Sequence, residues 1–444
     1  MSSSDQITQQ AATGKSVVAI IGGGFAGINA ARALKHADAE IVLIDRRNHH
    51  LFQPLLYQVE TAVVSPADIA APLRQLEEKQ KNATVVLGEV TGVNLASRTL
   101  KIFTEGSGTR TLRFDYLIVA AGMQSSYFGH DEFAQFAPCL KTLTDAEAMR
   151  TKILRAFEIA ALTDDPAERS KYLTFAVVGG GATGVELAAS LGTMVRDTLQ
   201  GDFRHLDPSQ AKIMLIEGGK RILPSFHETL STKVANHLES LRVELKLGSN
   251  VEHIDENGFV VGGNRIACAT VLWAAGVSPS PVLKLLGAQT DRGGRVIVDD
   301  QMRVPNTQGV FVVGDAANIT RGDRPLPGVA QVAIQSGAYA GRLIAGELSG
   351  QKTAKAFSYF NKGNLAVVGK NFAVLERDNF HMSGFLAWLV WAVVHLAFLP
   401  QLQNRLRVEI QWVYSYITGS RGARIIPEAP TEQRVRSEKK AKAA

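Results

Sequence analysis

Two glycine triplets with the same spacing are the residues of this sequence whose pattern most directly implies chemistry. Gly22, Gly24 and Gly27 form one G-x-G-x-x-G, and residues 179–184 form a second. Glycines at this spacing allow backbone N–H groups to approach a pyrophosphate at the N-terminus of a helix, where the helix dipole favours an anion. The pattern predicts two dinucleotide-binding loops; the alternative is a purely structural glycine turn at each place.

An acidic residue follows each glycine loop at the distance expected for a ribose contact. Asp45 ends the apolar strand pattern after the first loop, and Glu217 ends the matching pattern after the second. A carboxylate there accepts hydrogen bonds from the ribose hydroxyls of a dinucleotide. Because the carboxylate of Glu217 repels a 2′-phosphate, the second site is predicted to favour NADH over NADPH, with Lys220 and Arg221 as nearby cations that would weaken the preference.

The glycine loops need strands and helices to position them, and the sequence supplies these twice. Residues 17–21 and 173–178 are apolar runs that precede the two loops and predict strands buried on both faces of a parallel sheet. The repeat of strand, glycine turn, helix, strand and acid predicts an α/β fold with two Rossmann-like domains. Shorter strands at 83–93, 99–104 and 111–114 predict an antiparallel meander inserted in the first domain.

Composition places this chain of 444 residues among folded proteins, since 45% of the residues are hydrophobic and 20% are charged. Its two cysteines, Cys139 and Cys268, lie far apart, which indicates a reducing compartment and argues against a disulfide framework and C-x-x-C chemistry. His49 and His50 are adjacent and lack an accompanying carboxylate or cysteine cluster, so no metal site is predicted.

The C-terminal part of the chain combines patterns typical of a protein held at a membrane surface. Residues 384–399 are apolar apart from His395, but a spanning helix needs about 20 such residues. Residues 402–417 have an apolar face at helical spacing, and residues 420–444 carry seven basic side chains against three acidic ones. We expect a monotopic anchor that contacts lipid and no nucleic acid; the alternatives are a buried helical hairpin or dimer interface and a solvated, disordered tail.

Longer stretches of the sequence resemble known families. The two glycine loops with their acids, together with GVFVVGDAAN at 309–318, resemble the flavoprotein superfamily with two dinucleotide-binding domains. More specifically, NHHLFQPLLYQV at 48–59, AQVAIQSG at 330–337 and FSYFNKGNLAVVGK at 357–370 are similar to the type II NADH:quinone oxidoreductases, the single-subunit respiratory dehydrogenases. Ser336 departs from the pattern of this family, many of whose members have a second glutamine there.

The resemblance implies a function for each half of the chain. The first domain would bind FAD, with Asp315 at the ribityl chain, and the second would bind NADH. A hydride would pass from NADH to flavin N5, and two electrons would then pass to a membrane quinone without proton pumping. The resemblance also implies peripheral attachment to the cytoplasmic face of the cell inner membrane, and it is compatible with a homodimer.

The same resemblance assigns roles to individual residues. Glu186 would act near the nicotinamide and the flavin, although a carboxylate in the first turn of a helix is also favoured by the helix dipole alone. Gln331 and Gln335 would lie against the flavin and the quinone pocket, and His395 is a further candidate as proton donor to the quinone. The residues expected at FAD are Gly22, Gly24, Phe25, Ala26, Gly27, Asp45, Arg46, Gln53, Val90, Ala121, Gly122, Gly314, Asp315, Ala330 and Gln331. The residues expected at NADH are Gly179, Gly181, Thr183, Gly184, Glu186, Glu217, Ala275 and Gly276.

These patterns together predict how the chain is divided. The predicted segments are a disordered lead-in without a signal peptide at 1–14, the first part of the FAD-binding domain at 15–137, the NADH-binding domain at 138–288, the second part of the FAD-binding domain at 289–350, a membrane-anchoring region at 351–419 and a basic tail at 420–444.

Two other classes of protein remain open at this point. A sulfide:quinone oxidoreductase shares the architecture and the anchor, but it needs paired cysteines near the flavin, which this sequence lacks. A regulatory flavoprotein, in which bound flavin and NADH change a partner interaction or the oligomeric state, would turn over slowly with every quinone.

Overall fold

The computed structural model of the protein describes residues 14–322, 324–351 and 355–427. Within this part the chain forms two compact units, each built from separate stretches of sequence. The first unit holds the described residues of Met1–Leu51, Ala70–Ser126 and Gly276–Gly363. The second unit holds those of Phe52–Ile69, Tyr127–Ala275 and Asn364–Ala444. The chain therefore passes from one unit to the other more than once.

A parallel sheet forms the centre of the first unit. Its strands run, in spatial order, Val310–Val312, Tyr116–Val119, Ser16–Ile21, Ala39–Asp45 and Ala83–Leu87. The side chains of Ser16–Ile21 and Ala39–Asp45 are mostly buried, because these strands carry near-continuous apolar and β-branched residues. The strand predicted at 83–93 is in fact two strands: Ala83–Leu87 pairs in parallel with Ala39–Asp45, and the meander begins at Glu89–Asn94.

A glycine lets the two main helices of the first unit approach each other closely. Helix Ala330–Leu348 packs on helix Phe25–Ala33. A Cβ atom on Gly337 would lie 2.1 Å from the carbonyl oxygen of Ala26, a separation that no side chain adopts. The helix that carries Gln331 and Gln335 is therefore held directly against the helix that follows the first glycine loop.

Antiparallel strands complete the first unit. The predicted meander is confirmed, with strands Glu89–Asn94, Thr99–Thr104 and Gly108–Arg113. Other elements of this unit are the strand pairs His49–Leu51 with Ala70–Pro72 and Met123–Ser125 with Val277–Pro279, and the short helix Gln75–Lys79.

A second parallel sheet forms the centre of the second unit. Its strands run Val243–Leu247, Lys212–Glu217, Thr174–Val178 and Thr270–Trp273, and an antiparallel sheet of Val251–Asp255, Gly258–Val261 and Asn264–Ala267 accompanies them. The helices are Leu56–Glu60, Leu143–Leu162, Pro166–Tyr172, Ala182–Thr193 and Glu228–Ser240. The order of elements repeats that of the first unit, so the predicted α/β fold with two Rossmann-like halves is confirmed.

The C-terminal part of the second unit is a small antiparallel sheet followed by helices. Strands Asn364–Val367, Ala373–Arg377 and Phe380–Gly384 lead into helices Phe385–Phe398 and Leu402–Thr418, where the sequence predicted them. In the described part of the chain, no helix has both the length and the hydropathy needed to cross a membrane.

The structure groups two segments differently from the predicted division. Residues 52–69 belong to the second unit, although the sequence assigned them to the first domain, and the C-terminal helices belong to the same unit rather than to a separate region. Buried hydrogen bonds explain both assignments. The hydroxyl groups of Thr61 and Ser190 lie 2.7 Å apart in the core, and the guanidinium of Arg421 donates to the carbonyl oxygens of both residues.

Candidate functional site

The two glycine loops have the same local geometry. Gly22 and Gly179 have φ angles of +106° and +113°, which favour glycine at both positions. A Cβ atom on Gly27 would lie 1.8 Å from the carbonyl oxygen of Gly22, and a Cβ atom on Gly184 would lie 1.8 Å from that of Gly179. The first and last glycines of each loop are therefore required by the fold of the loop itself.

The middle glycines have a different reason to be glycine. Gly24 and Gly181 are the N-cap residues of helices Phe25–Ala33 and Ala182–Thr193. Because glycine has no side chain, neither residue can cap the first N–H groups of its helix. A Cβ atom added to either residue would meet no protein atom within 4 Å. Each loop therefore leaves open space directly in front of uncapped helical N–H groups, which is the cradle that a pyrophosphate needs.

The two acids hold the loops in the same way. A carboxylate oxygen of Asp45 accepts the backbone N–H of Gly23 at 2.6 Å, and a carboxylate oxygen of Glu217 accepts that of Gly180 at 2.6 Å. Each carboxylate also accepts the N–H two residues after itself, at 2.8 and 2.7 Å. The acids are thus fixed at the edge of the loop, where oxygen lone pairs remain for a ribose hydroxyl.

Arg221 is engaged within the second unit. Its guanidinium donates to the carbonyl oxygens of Phe226 at 2.7 Å and Pro224 at 2.8 Å. These bonds tie the side chain to the turn that follows the acid and engage both terminal nitrogens of the guanidinium. Lys220, which is exposed, is the remaining cation of the predicted pair that could face a phosphate beside Glu217.

Ser336 fixes the turn that contains Asp315. The hydroxyl of Ser336 is fully buried, donates to the carbonyl oxygen of Val332 at 2.8 Å and accepts the N–H of Gly314 at 3.0 Å. A Cβ atom on Gly314 would lie 3.2 Å from Cβ of Ala26, so this turn lies against the helix that follows the first loop. The sequence had marked this residue, because Ser336 stands where many members of the resembled family have a second glutamine.

The amides of Gln331 and Gln335 are both used to hold backbone. Gln331 donates to the carbonyl oxygen of Gly363 at 2.8 Å and accepts the N–H of Lys362 at 3.0 Å. Gln335 donates to the carbonyl oxygen of Phe360 at 3.0 Å and accepts the N–H of the same residue at 3.0 Å. One turn apart on the same helix, the two glutamines clamp the backbone of segment 360–363.

Most of the residues expected at FAD lie in the first unit. Arg46 there is exposed, with its guanidinium 3.9 Å from the carboxylate of Glu89, whereas Val90 is buried. Two expected residues are assigned to the opposite unit from the one predicted. Gln53 lies in the second unit, where its amide donates to the carbonyl oxygen of Lys141 at 3.4 Å, and Gly276 is the first residue of the returning stretch of the first unit. The residues expected at FAD that lie in the first unit are Gly22, Gly24, Phe25, Ala26, Gly27, Asp45, Arg46, Val90, Ala121, Gly122, Gly314, Asp315, Ala330 and Gln331.

A cavity of about 570 Å³, which we call the C-terminal cavity, lies within the second unit. Helices Phe385–Phe398 and Leu402–Thr418 form one side of it, and most of its surface is apolar. Its aromatic and aliphatic lining includes Phe385, Trp388, Leu389, Trp391, Leu396 and Trp412. The chamber therefore suits a ligand with a flat apolar ring or a hydrocarbon chain.

Glu186 brings a carboxyl group to the wall of this cavity. Its Oε1 accepts the N–H of Val367 at 3.3 Å, and burial raises the pKa of Glu186 to about 8. The side chain is therefore mostly protonated at neutral pH, which allows it to donate a hydrogen bond or a proton. The helix dipole favours the ionised form of Glu186, so it acts against this effect of burial.

His395 does not have the properties expected of a proton donor. Its Nδ1 lies 2.8 Å from the carbonyl oxygen of Trp391, so this nitrogen carries the proton that makes the hydrogen bond. Burial lowers the pKa of His395 to about 4, because the apolar surroundings disfavour the imidazolium. The neutral ring has no proton on its other nitrogen to give.

The structure adds residues that the sequence did not single out. Tyr57 and Gln58 are buried and line the C-terminal cavity, as does Arg421. Arg421 and Arg424 belong to the stretch predicted as a lipid-facing basic tail, but Arg421 is buried and Arg424 pairs with Asp202. No local pattern distinguishes these arginines from the rest of a basic tail; the remainder of the tail from 428 lies outside the described residues.

Comparisons with known proteins agree with the geometry. Residues 16–337 match the family described as pyridine nucleotide-disulphide oxidoreductase. The chain is 42% identical over 438 residues to the type II NADH:quinone oxidoreductase Ndh of Mycobacterium tuberculosis, covering 96% of this chain and 94% of that protein.

Solved structures share the fold at low sequence identity. NDH2 from Plasmodium falciparum in complex with NADH has a TM-score of 0.85 at 19% identity, covering 93% of this chain and 100% of that one. The sulfide:quinone oxidoreductase of Aquifex aeolicus has a TM-score of 0.71 at 17% identity, covering 88% and 92%. Because fold alone is common to both enzyme classes, the sequence relatives decide between them. The chain belongs to the pyridine nucleotide-disulphide oxidoreductase family and, within it, to the type II NADH:quinone oxidoreductases.

Proposed function

We propose that the protein oxidises NADH and reduces a membrane quinone, with two electrons passing through bound FAD and without proton pumping. The observation that carries the proposal is the pair of equivalent glycine loops, because a flavin-linked oxidation of NADH needs two dinucleotides on one chain. The relative from Mycobacterium tuberculosis, which is named for NADH and quinone, supports the same substrates.

The first unit would hold FAD. Its uncapped cradle at Gly24 would take the pyrophosphate, Asp45 would accept the adenosine ribose, and Asp315, on the turn fixed by Ser336, would bind the ribityl chain. The flavin supplies the redox chemistry, since it accepts a hydride and releases two electrons. The protein would position the flavin. Gln331 and Gln335 hold segment 360–363 by hydrogen bonds, which supports a role for these glutamines in shaping the first unit around the flavin.

The second unit would hold NADH. The cradle at Gly181 matches that at Gly24, and Glu217 occupies the place of Asp45. The carboxylate of Glu217 would bind the ribose hydroxyls and repel a 2′-phosphate. Because Arg221 is bonded to the following turn, it would contribute little to NADPH binding, and we expect a clear preference for NADH.

The C-terminal cavity would take the quinone ring. Its apolar lining suits the ring and the start of an isoprenoid chain, and the protonated carboxyl of Glu186 offers a polar group at the wall. Gln331 and Gln335 stay predicted catalytic residues.

The exposed face of helix Leu402–Thr418 supports attachment to lipid. Leu402, Ile410 and Ile417 are 70%, 68% and 76% exposed, and they lie on one side of the helix. An apolar helix face of this kind is typical of a helix that lies in a membrane interface. From the family resemblance we further propose that the attachment is to the cytoplasmic face of the inner membrane and that the protein is a homodimer.

Steady-state kinetics test the reaction. FAD-loaded protein in detergent is assayed with NADH and decylubiquinone or menadione, with oxygen alone, and again with NADPH. We expect quinone to raise the rate of NADH oxidation at least about tenfold over oxygen, and NADH to be preferred over NADPH. If quinone reoxidises the flavin no faster than oxygen does, the proposal fails and a regulatory flavoprotein becomes the better reading.

Vesicle flotation tests the attachment. Ile410→Glu places a charge on the exposed apolar face of the helix, and we expect it to reduce binding to vesicles of zwitterionic and anionic lipid. Gln403→Glu adds the same charge at an exposed position near the start of that helix and serves as the matched control. Equal binding of both variants and the unchanged protein would contradict attachment through this face.

A further inference from the structure

A chain of hydrogen bonds runs from helix Leu402–Thr418 to the wall of the C-terminal cavity. The indole Nε1 of Trp412 donates to the side-chain oxygen of Gln58 at 2.7 Å, and the amide nitrogen of Gln58 donates to the hydroxyl oxygen of Tyr57 at 3.0 Å. Tyr57 and Gln58 are each 5% exposed, and all three side chains line the cavity.

The donor and acceptor groups allow these hydrogen bonds only one direction. An indole N–H can only donate, so Gln58 must turn its oxygen towards Trp412 and its NH₂ group towards Tyr57. The oxygen of Tyr57 is therefore an acceptor from Gln58, and the phenolic proton must point elsewhere. Among the residues that the structure describes, no group within hydrogen-bond distance accepts that proton.

The surroundings keep Tyr57 in the form that donates. Burial raises the pKa of Tyr57 well above its usual value, and the charge of Glu186 raises it further, whereas the hydrogen bond from Gln58 and the charge of Arg421 lower it. The phenol therefore stays protonated at neutral pH. The other charged side chains of the cavity wall are Asp197, Lys370 and Glu409.

We propose that Tyr57 is a catalytic residue for quinone reduction, whose hydroxyl donates a hydrogen bond to a carbonyl oxygen of a quinone in the C-terminal cavity. Gln58 and Trp412 are positioning residues, because their hydrogen bonds set the direction of the phenolic proton of Tyr57. Neither of them donates that hydrogen bond to the quinone oxygen. The inference rests on the proposed function of the cavity.

The role follows from how charge changes during the reaction. A quinone oxygen becomes more negative as the ring gains electrons, so a fixed donor binds it more strongly in the transition state than in the ground state. A buried donor without a protein acceptor also carries a desolvation penalty, which a hydrogen bond to a ligand oxygen removes. Tyr57 is therefore expected to affect the rate more than the affinity.

Tyr57→Phe removes the donor and keeps the ring. In FAD-loaded protein we expect the rate of flavin reduction by NADH, measured anaerobically without quinone, to stay within about twofold. We expect kcat with decylubiquinone to fall about 10- to 100-fold, and the affinity of oxidised protein for decylubiquinone, measured by calorimetry, to weaken about two- to tenfold. Tyr172→Phe, which changes a tyrosine away from the cavity, is the matched control.

A double-mutant cycle tests the positioning role. Trp412→Phe keeps an aromatic ring but removes the N–H, and we expect kcat with quinone to fall about three- to tenfold. Because Trp412 acts through Tyr57, the double variant should be no slower than Tyr57→Phe alone. Additive losses would overturn the positioning role of Trp412.

Other outcomes separate this inference from the proposed function. If the unchanged protein shows no quinone-dependent turnover, the proposed function fails. If the unchanged protein reduces quinone and Tyr57→Phe does so within about twofold of it, only the role of Tyr57 is overturned. A variant that slows flavin reduction by NADH as much as quinone reduction also overturns the role, because the effect is then structural.

Discussion

The guanidinium of Arg421 donates a hydrogen bond to the carbonyl oxygen of Thr61 at 2.9 Å, although the two residues are 360 positions apart in the sequence. It also donates to the carbonyl oxygen of Ser190 at 3.2 Å. Burial lowers the pKa of Arg421 to about 10, which leaves the side chain charged at neutral pH. This residue therefore fixes the chain that follows helix Leu402–Thr418 to the core of the second unit.

Replacing Arg421 should loosen the C-terminal helices. Arg421→Met keeps the length of the side chain but leaves buried carbonyl oxygens without their donors, and we expect a loss of about 2 to 4 kcal/mol in the free energy of unfolding in urea. Limited proteolysis should release a C-terminal fragment sooner. Arg407→Met, at an exposed position of the same helix, should change stability by less than about 0.5 kcal/mol. Equal stabilities of the two variants would show that the buried contacts contribute little.

The middle glycines allow the two nucleotide sites to be told apart. Gly24→Ala and Gly181→Ala meet no protein atom within 4 Å, and φ angles of −75° and −71° suit alanine, so both variants should fold. We expect Gly24→Ala to lose flavin, read as the ratio of absorbance at about 450 and 280 nm. We expect Gly181→Ala to keep flavin but to raise KM for NADH about tenfold or more.

A control and a reverse outcome make this comparison decisive. Gly422→Ala also enters open space and should change neither flavin content nor KM, since it belongs to neither glycine loop. Loss of flavin from Gly181→Ala with retention in Gly24→Ala would reverse the assignment of FAD and NADH to the two units.

Glu217 should set the choice between the nicotinamide dinucleotides. Glu217→Gln removes the charge that repels a 2′-phosphate, and we expect the ratio of kcat/KM for NADPH to that for NADH to rise about 10- to 100-fold. Because Arg221 is bonded to Pro224 and Phe226, NADPH should still not become the better substrate. Asp45→Asn, the same change of charge at the other loop, should leave the ratio unaltered. A change in this kcat/KM ratio in Asp45→Asn would show that NADH binds at the first glycine loop and that its assignment to the second unit is wrong.

Glu60 should make the folded protein less stable as pH rises. Its carboxyl group is fully buried, and neither oxygen has a hydrogen-bond partner among the described residues, so burial raises the pKa of Glu60 well above 4.5. Above that pH the unfolded chain releases the proton while the folded protein keeps it. This difference lowers the free energy of unfolding by up to about 1.4 kcal/mol per pH unit until the folded pKa is reached.

The neutral variant Glu60→Gln removes this dependence. We expect it to match the unchanged protein near pH 4.5 and to be progressively more stable as pH rises, as measured by urea unfolding across the pH range. Glu105→Gln, at an exposed position, should have no such advantage. A constant difference between Glu60→Gln and the unchanged protein at all pH values would mean that Glu60 titrates normally in the folded state.

Features encoded by neighbouring residues could be predicted from the sequence. The glycine loops, their acids and the C-terminal helices each depend on a short run of residues with a fixed period, and the structure has them where expected. Helix boundaries were less certain. Thr142 is the N-cap of helix Leu143–Leu162 and Asp145 completes a capping box three residues later, and because Thr and Asp both suit the N-cap position, the local sequence does not distinguish the two arrangements.

Features that join distant residues could not be predicted. The Trp412–Gln58 contact joins positions 354 residues apart, and the contacts of Arg421 join positions 360 and 231 apart. A basic residue near an apolar helix reads locally as a lipid contact, and only the folded chain brings it to buried carbonyl oxygens. The grouping of residues 52–69 with the second unit depends on the same long-range contacts.

The outward row of Leu402, Ile410 and Ile417 has a consequence for how rate depends on substrate. An enzyme held on a bilayer by this face meets its quinone as a mole fraction of the lipid, not as a concentration in water. With fixed amounts of protein and quinone, added vesicles spread the same quinone over a larger area, and each encounter becomes rarer. Turnover in such a system is governed by surface area, while the volume of the sample matters only for NADH.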